Sequence, residues 1–496
     1  MLYESTRGSK LKKNSAEAII QGIAEDKGLY VPERIPELPF KVSDMLGKSY
    51  KEIAKPVIWA FFDDFTEEEI DYCINGAYDD KFKASDIVEI KQAGNANFLE
   101  LYHGPTAAFK DMALSILPYL MTTAVKKTGE KSKICILTAT SGDTGKAALA
   151  GFSDVEGTEI IVFYPDGGVS QIQRQQMITE EGKNTHVFAV KGNFDDCQTG
   201  VKRIFADDDM YVKLYNMGVK LSSANSINVG RLVPQVAYYV YSYVKLVERG
   251  VIKDGEPINV TVPTGNFGNV LAAYFAREMG INIGKLIIAS NENKVLTDFI
   301  ETGMYNIMPG VRDFSLTNSP SMDILISSNL ERLLYLGSDR DKFLTAEWML
   351  SLDSLKMYTI LDSAKLYNEV KNLYGGYATQ EETLEAIGKM WKENHYLMDT
   401  HTAVAYKVYE DYVNETGDKT PTVIASTASA YKFAEAVCSA IGVENVKDGF
   451  DAVLRLNETT GVDIPYGLKD LDKKEIRHPG VVEISGMDES AIKSLA

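Results

Sequence analysis

Apolar residues follow two periods along this chain. After a Gly104-Pro105 turn, Phe109, Met112, Ala113, Ile116, Leu117 and Leu120 repeat at the i, i+3, i+4, i+7 spacing that marks one face of a helix. From about residue 95, short β-rich runs alternate with helical stretches. "KICILTA" (133–139), "TEIIVFYP" (158–165), "THVFAV" (185–190), "INVTVP", "KLIIAS" and "TVIAST" (422–427) are the runs, and segments such as "KAALAGF" and "LVPQVAYYVYSYVKLVERG" lie between them. This alternation predicts an α/β fold with a doubly wound, mostly parallel sheet covered on both faces. Ligands in such sheets sit outside the carboxyl ends of the strands, which directs attention to the loops after 133–139 and 257–263. Residues 1–92 read as a leader of mixed helical character, with a stop at Gly28 and breakers at Pro32 and Pro36. Residues 330–395 read as mainly helical, with Thr379 and Glu382 spaced as a capping box. The expected units are therefore 1–92, 93–225 and 226–496, the last with a helical insertion at about 330–395.

Composition narrows the class. The 496 residues are 45% hydrophobic and 25% charged, an ordinary globular balance. The formal net charge of −18 argues against non-specific binding to nucleic acid or anionic membrane, so an anionic substrate must be captured by a few placed groups. Cys73, Cys135, Cys197 and Cys438 are scattered without C-x-x-C spacing, which indicates neither a zinc site nor a disulfide framework and fits a reducing cytoplasm. No signal peptide and no membrane-length apolar run is apparent, so the expectation is a soluble, cytoplasmic protein.

Several loops could carry chemistry. In "HGPTAAFKDMAL" (103–114), Lys110 lies at the start of a helix, where the dipole disfavours a cation. The segment alone admits a surface lysine paired with Asp111 or a buried amine kept for reaction. "VPTGNFGNVLAAY" (262–274) runs strand, Gly-rich turn, helix. It is either a plain tight turn or a phosphate cradle, with Gly265 and Gly268 admitting an anion and Asn266 and Asn269 adding donors. "TATSGDTGKAAL" (138–149) fails as a P-loop, because Thr140 and Ala147 replace the required glycine and hydroxyl. Its Ser141, Thr144 and backbone N–H groups could hold a small carboxylate, with Asp143 as a helix cap. "SSANSINVGRL" (222–232) gathers Asn225, Ser226, Asn228 and Arg231, suited to phosphate or carboxylate unless the arginine pairs with a nearby acid. His401 precedes an apolar helix, where a lone histidine is more often structural than catalytic. Two anion-sized turns and a lysine suit, as one candidate among several, a phosphorylated aldehyde cofactor, whose Schiff base acts as an electron sink for a carbanion at Cα.

The ordered motifs "STRG", "GLYVPE", "HGPTAAFKD", "TSGDTG", "NSIN" with Arg231, "PTGNFGN", "HTAVAY" and "STAS" resemble the threonine synthase family of fold type II pyridoxal-phosphate enzymes, and the likeness runs through nearly the whole chain. The resemblance implies a tryptophan-synthase-β-like architecture with an N-terminal helical extension over 1–92, a smaller cofactor subdomain over 93–225 and a larger one over 226–496. It implies that Lys110 is the Schiff-base lysine next to Phe109, and that Gly265, Asn266, Phe267, Gly268 and Asn269 cradle the phosphate of pyridoxal 5'-phosphate. Thr427 would face the pyridine nitrogen. Asp143 would stand where many relatives place asparagine beside the 3′ oxygen, which then needs a proton or an intervening water.

By the same likeness the substrate is O-phospho-L-homoserine, its carboxylate at Ser141 and Thr144 and its phosphate at Asn225, Ser226 and Arg231. Lys110 would move protons among Cα, Cβ and Cγ, phosphate would leave Cγ, and water at Cβ would give L-threonine. No metal, nucleic acid or membrane is implied, and the assembly would be a monomer or homodimer. Two segments depart from the family: Ser429 and Ala430 replace a usual His-Pro after "STA", and Thr400 stands where Asp-Pro-His-Thr is usual. The rival readings are a phospholyase releasing 2-oxobutyrate, and a non-catalytic relative that binds the cofactor or an amino acid.

Overall fold

A computed structural model of the chain describes residues 1–495 apart from Ser141, Asp362 and the side chain of Asp195. Two sheets organise it. The larger has six strands in the order Tyr374–Tyr377, Ile283–Ser290, Ile258–Pro263, Thr422–Ser426, Ala96–Glu100 and Glu89–Ala93. All neighbours are parallel except the closing hairpin, in which Ile90 faces Leu99. The smaller sheet is wholly parallel: Val481–Val482, Thr185–Val190, Thr158–Pro165, Lys133–Ala139 and Val219–Ser222. Every residue of Ile258–Pro263 is buried, as expected for a parallel strand covered by helices on both faces.

The leader is less helical than its sequence suggests. Its helices Ser15–Gln21, Tyr50–Phe61 and Glu67–Ala77 each begin with a capping box, at Asn14/Glu17, Ser49/Glu52 and Thr66/Glu69. Strands Lys13–Asn14, Leu2–Ser5 and Tyr30–Pro32 also form a small antiparallel sheet. The leader shares one apolar core with both larger sheets: helix Ser15–Gln21 packs on Leu117–Thr128, and Tyr50–Phe61 on Pro234–Glu248.

The apolar stripe at 109–120 is not one helix. It divides into Asp111–Leu114 and Leu117–Thr128, the second carrying Pro118 in its first turn, where the missing N–H has no helical partner to lose. Within the expected helical insertion, the capping box at Thr379 and Glu382 forms, and the short strand Tyr374–Tyr377 precedes it. This strand has no alternation to read because glycines fill it; a Cβ at Gly376 would lie 2.6 Å from Val408 Cγ1.

Candidate active site

Lys110 is delivered by a clamp at the carboxyl end of strand Thr422–Ser426. Phe109 N–H donates to the Thr427 carbonyl at 2.7 Å, Ser429 N–H donates to the Ala107 carbonyl at 3.0 Å, and Ala108 bridges Ala428. Asp111 does not pair with the lysine beside it. Its carboxylate accepts from Thr106 N–H at 2.8 Å and from the Thr106 hydroxyl at 2.6 Å, and burial pushes it up to about 6. The Lys110 side chain is 11% exposed, with Nζ 3.4 Å from Ser321 Oγ, 3.8 Å from Asp143 Oδ2 and 5.6 Å from the centre of the Phe109 ring. Burial lowers its ammonium to about 8; Asp143 opposes that shift, and Arg231 and Lys432 add to it.

Asp143 opens helix Asp143–Phe152, but Gly142 holds the cap position and the carboxylate is used elsewhere. Its Oδ1 accepts from Lys432 Nζ at 2.9 Å and Gln173 Nε2 at 3.0 Å, while Oδ2 accepts from Ser321 Oγ at 3.5 Å. Burial alone would raise this carboxyl; Lys432 and Lys110 outweigh it and hold it well below the usual range. Lys432 has no exposed side-chain surface and also donates to Gln176 Oε1 at 2.6 Å and the Thr106 carbonyl at 3.2 Å. Reading the sequence missed Lys432, Ser321 and Gln173. The available signal for Lys432 was a lone cation inside the apolar run "AYKFAEAV". Thr144, in the same turn as Asp143, is half-buried and makes no side-chain hydrogen bond among the described residues; Ser141 lies outside them.

The Gly-rich turn closes the other side. Phe267 takes a left-handed φ of 61° to start helix Gly268–Glu278, and a Cβ on Gly265 would come 2.9 Å from the Ser321 carbonyl. Ser327 Oγ donates to the Gly265 carbonyl at 2.7 Å, and Asn329 N–H to that of Asn266, which is exposed, at 3.1 Å. Asn269 Oδ1 accepts from the Tyr238 hydroxyl at 2.8 Å and from that of Tyr239. Asn269 Nδ2 is buried with no partner among the described residues, an unmet donor at the amino end of a helix.

Arg231 is 5% exposed, and its only side-chain hydrogen bond among the described residues is Nη1 to the Ala224 carbonyl at 3.0 Å. No carboxylate among the described residues pairs with it. Burial lowers it to about 10, so it stays charged at neutral pH. Asn225 is exposed and accepts from Ser226 Oγ at 3.1 Å; Asn329 Nδ2 reaches Ser226 Oγ at 3.4 Å and the Asn266 carbonyl at 3.0 Å, tying the two loops together. Asn228 caps the short helix Val229–Leu232.

His401 is buried behind the site. Its Nε2 accepts from Ser321 N–H at 3.1 Å and its Nδ1 meets Asp399 at 2.9 Å, which holds the Ser321 turn against Lys110. Thr427 is 6% exposed, and its hydroxyl makes no hydrogen bond among the described residues. Of the two departures, Ser429 caps the 3-10 turn Ala430–Phe433 that carries Lys432, and Thr400 Oγ1 is buried with no partner among the described residues.

An amine lowered to about 8, an unmet amide donor at a helix amino end and an unpaired buried guanidinium together suit an aldehyde that carries phosphate. Comparison with known proteins agrees. Residues 2–78 match the family described as threonine synthase N terminus, 93–344 pyridoxal-phosphate dependent enzyme, and 402–489 threonine synthase, C-terminal. The chain is 40% identical to human threonine synthase-like 1 over 89% of its length, spanning 60% of that protein, and 35% identical to Saccharomyces cerevisiae threonine synthase, with 89% of each covered. The structure of threonine synthase from Brucella melitensis, described as bound to pyridoxal phosphate, aligns at a TM-score of 0.87 and 34% identity over 100% of this chain and 99% of that one. This chain belongs to the threonine synthase family of fold type II pyridoxal-phosphate enzymes.

Proposed function

We propose that the protein is a threonine synthase, converting O-phospho-L-homoserine and water to L-threonine and phosphate in the cytoplasm, as a monomer or homodimer of the three units 1–92, 93–225 and 226–496. The observation that carries this reading is Arg231: a buried, acid-free guanidinium on a loop that Asn329 ties to a second anion-binding turn, with one reactive amine close by. Two anion sites around one amine accommodate a phosphorylated cofactor and a phosphorylated substrate.

Pyridoxal phosphate supplies an electron sink for negative charge at Cα when bound. The chain's residues do the rest. Gly265, Phe267, Gly268 and Asn269 hold its phosphate with backbone N–H groups and the free Asn269 amide, with Asn266 at the outer edge. Phe109, Thr427 and Asp143 would line the place of its ring. Arg231, Ser226 and Asn225 take the substrate phosphate, and Thr144 with Ser141 the carboxylate. Lys110 would remove the proton at Cα of the substrate and return protons further along its chain. Its depressed basicity keeps a usable free-base fraction near neutral pH.

A phospholyase is the second reading, favoured by Ser429, Ala430 and Thr400, which depart from the family pattern beside the site. Both readings use the same anchors and differ in whether water reaches Cβ. The test is to incubate the cofactor-loaded protein with O-phospho-L-homoserine and identify the carbon product released with phosphate. Threonine supports the synthase, 2-oxobutyrate replaces it with the lyase, and no phosphate release defeats both in favour of a binding protein.

A further inference from the structure

Lys432 has no part in the reaction just described, yet it sits at the centre of the polar cluster. Its side chain is wholly buried, and its ammonium is fixed by three acceptors: Asp143 Oδ1 at 2.9 Å, Gln176 Oε1 at 2.6 Å and the Thr106 carbonyl at 3.2 Å. A buried, hydrogen-bonded ion pair is rarely kept for stability, since apolar residues of similar size commonly do as well or better. Its position suggests a different use. Asp143 stands between two lysines, with one carboxylate oxygen held tightly by Lys432 and the other 3.8 Å from Lys110. A lone carboxylate at that distance would favour the ammonium form of Lys110 and keep it from attacking a carbonyl.

We propose that Lys432 is a positioning residue for Lys110: by pairing with Asp143 it cancels the charge of that carboxylate, so that the Lys110 amine stays available as a free base while Asp143 keeps its place beside the cofactor. This rests on the reading of Lys110 as the lysine that condenses with the cofactor aldehyde, but not on the identity of the substrate.

The neighbours are consistent with the assignment. Lys110 is faced by Asp143 from helix Asp143–Phe152, Arg231 from Val229–Leu232, Lys432 from the turn after Thr422–Ser426, and Asp111 from its own segment. Ser321, backed by His401 and Asp399, offers it only a hydroxyl. Gln173 and Gln176 come from helix Gln171–Ile178 and hold the two halves of the pair, one on Asp143 and one on Lys432, with neutral groups that leave the charge count unchanged. Asp111 is turned toward Thr106. Asp143 is thus the carboxylate near Lys110 that needs cancelling; Arg231 also opposes it at Lys110, and Lys432 is the cation in direct contact with it.

The test follows uptake of pyridoxal phosphate by the full-length, cofactor-free protein between pH 6 and 10, read as growth of the visible band. Uptake requires the free amine, which adds to the aldehyde carbon with loss of one water, so the pH midpoint of the rate reports the Lys110 proton; ionisation of the added phosphate is common to all variants and cancels in comparison. Lys432→Met is expected to raise the midpoint by about one unit or more, lowering the rate at pH 7 roughly tenfold while leaving the alkaline plateau nearly unchanged. Lys432→Arg restores the midpoint. A folded Lys432→Met protein with an unmoved midpoint, or with a rate reduced equally at every pH, overturns the proposal; band and turnover could then survive intact, so the functional reading would stand separately.

If the single variant does not fold, the double variant Asp143→Asn/Lys432→Met removes both members of the pair, so neither is left as a buried charge without the other, and decides the matter. Cancellation requires its midpoint to stay within about half a unit of the parent. A fall of about one unit or more shows that Lys110 felt Asp143 uncancelled, and overturns the proposal.

Discussion

Lys110 is a strained choice for stability, and that strain can be measured. Its ammonium falls from the ordinary lysine range to about 8 on folding, so the folded protein holds this proton less well than the unfolded chain does. A lysine lowered in this way costs stability in full below pH 8, by about 3 kcal/mol, and the cost disappears as pH rises from 8 towards 10.5. The cofactor-free Lys110→Met protein should therefore be more stable than the parent at pH 7, with the difference closing by pH 10.5. Urea denaturation at several pH values measures it, and a gap that widens with pH would contradict the burial argument. Asp111 runs the other way from a salt-bridged acid: burial raises it to about 6, so its contribution to stability is complete below pH 4 and is lost as pH rises through 6. Motifs made Lys110 and Asp143 legible in the sequence, because each lies in a local pattern of glycine, hydroxyl and turn residues. Lys432 was not legible, since its meaning depends on partners such as Gln176, 256 residues away.

The two helices that begin at the reactive groups meet at a glycine. A Cβ on Gly151 would lie 2.1 Å from the Leu114 carbonyl oxygen, so helix Asp143–Phe152 touches the backbone of Asp111–Leu114 directly. Backbone cannot step aside as a side-chain end can. Gly151→Ala should destabilise the protein by about 1–3 kcal/mol and weaken cofactor retention, because it pushes Asp143 and Lys110 apart. Gly486→Ala, with no neighbour within 4 Å, should change stability by less than about 0.5 kcal/mol. Thermal unfolding of both variants checks the contrast, and equal effects would defeat the close-contact account. The same reasoning explains which elements the sequence revealed. Lys133–Ala139, Thr158–Pro165 and Thr185–Val190 appear where apolar runs placed them, since two-sided burial demands such runs. Tyr374–Tyr377 and the edge strand Glu89–Ala93 did not, because glycine packing and edge pairing leave no comparable run.

The two sheets contribute different halves of the site, and the cluster between them is positive within a chain of net charge −18. Lys110, Lys432 and Arg231 face Asp143 and Asp111, and helix amino ends add to the excess. An added phosphate should therefore stabilise the assembled form. Pyridoxal phosphate should raise the thermal midpoint of the cofactor-free protein well above what pyridoxal achieves at equal concentration, the gain at a hundredfold excess over the dissociation constant being about 2.7 kcal/mol. Equal shifts would remove the Gly265–Asn269 turn as the phosphate seat.

The order in which the larger sheet is threaded also has a consequence for biosynthesis. Strand Ala96–Glu100 has Asn97 opposite Val423, a partner that leaves the ribosome only after some three hundred further residues, roughly 15–65 s at ordinary elongation rates. By the second half of that interval the nascent chain carries the lysine, the aspartate and the glycine-rich turn with no Thr427 or Lys432 to complete them. Capture of the cofactor is thereby deferred to the last stage of translation, and a fragment ending before Thr422 would emerge with the amine but without the cavity that tunes it.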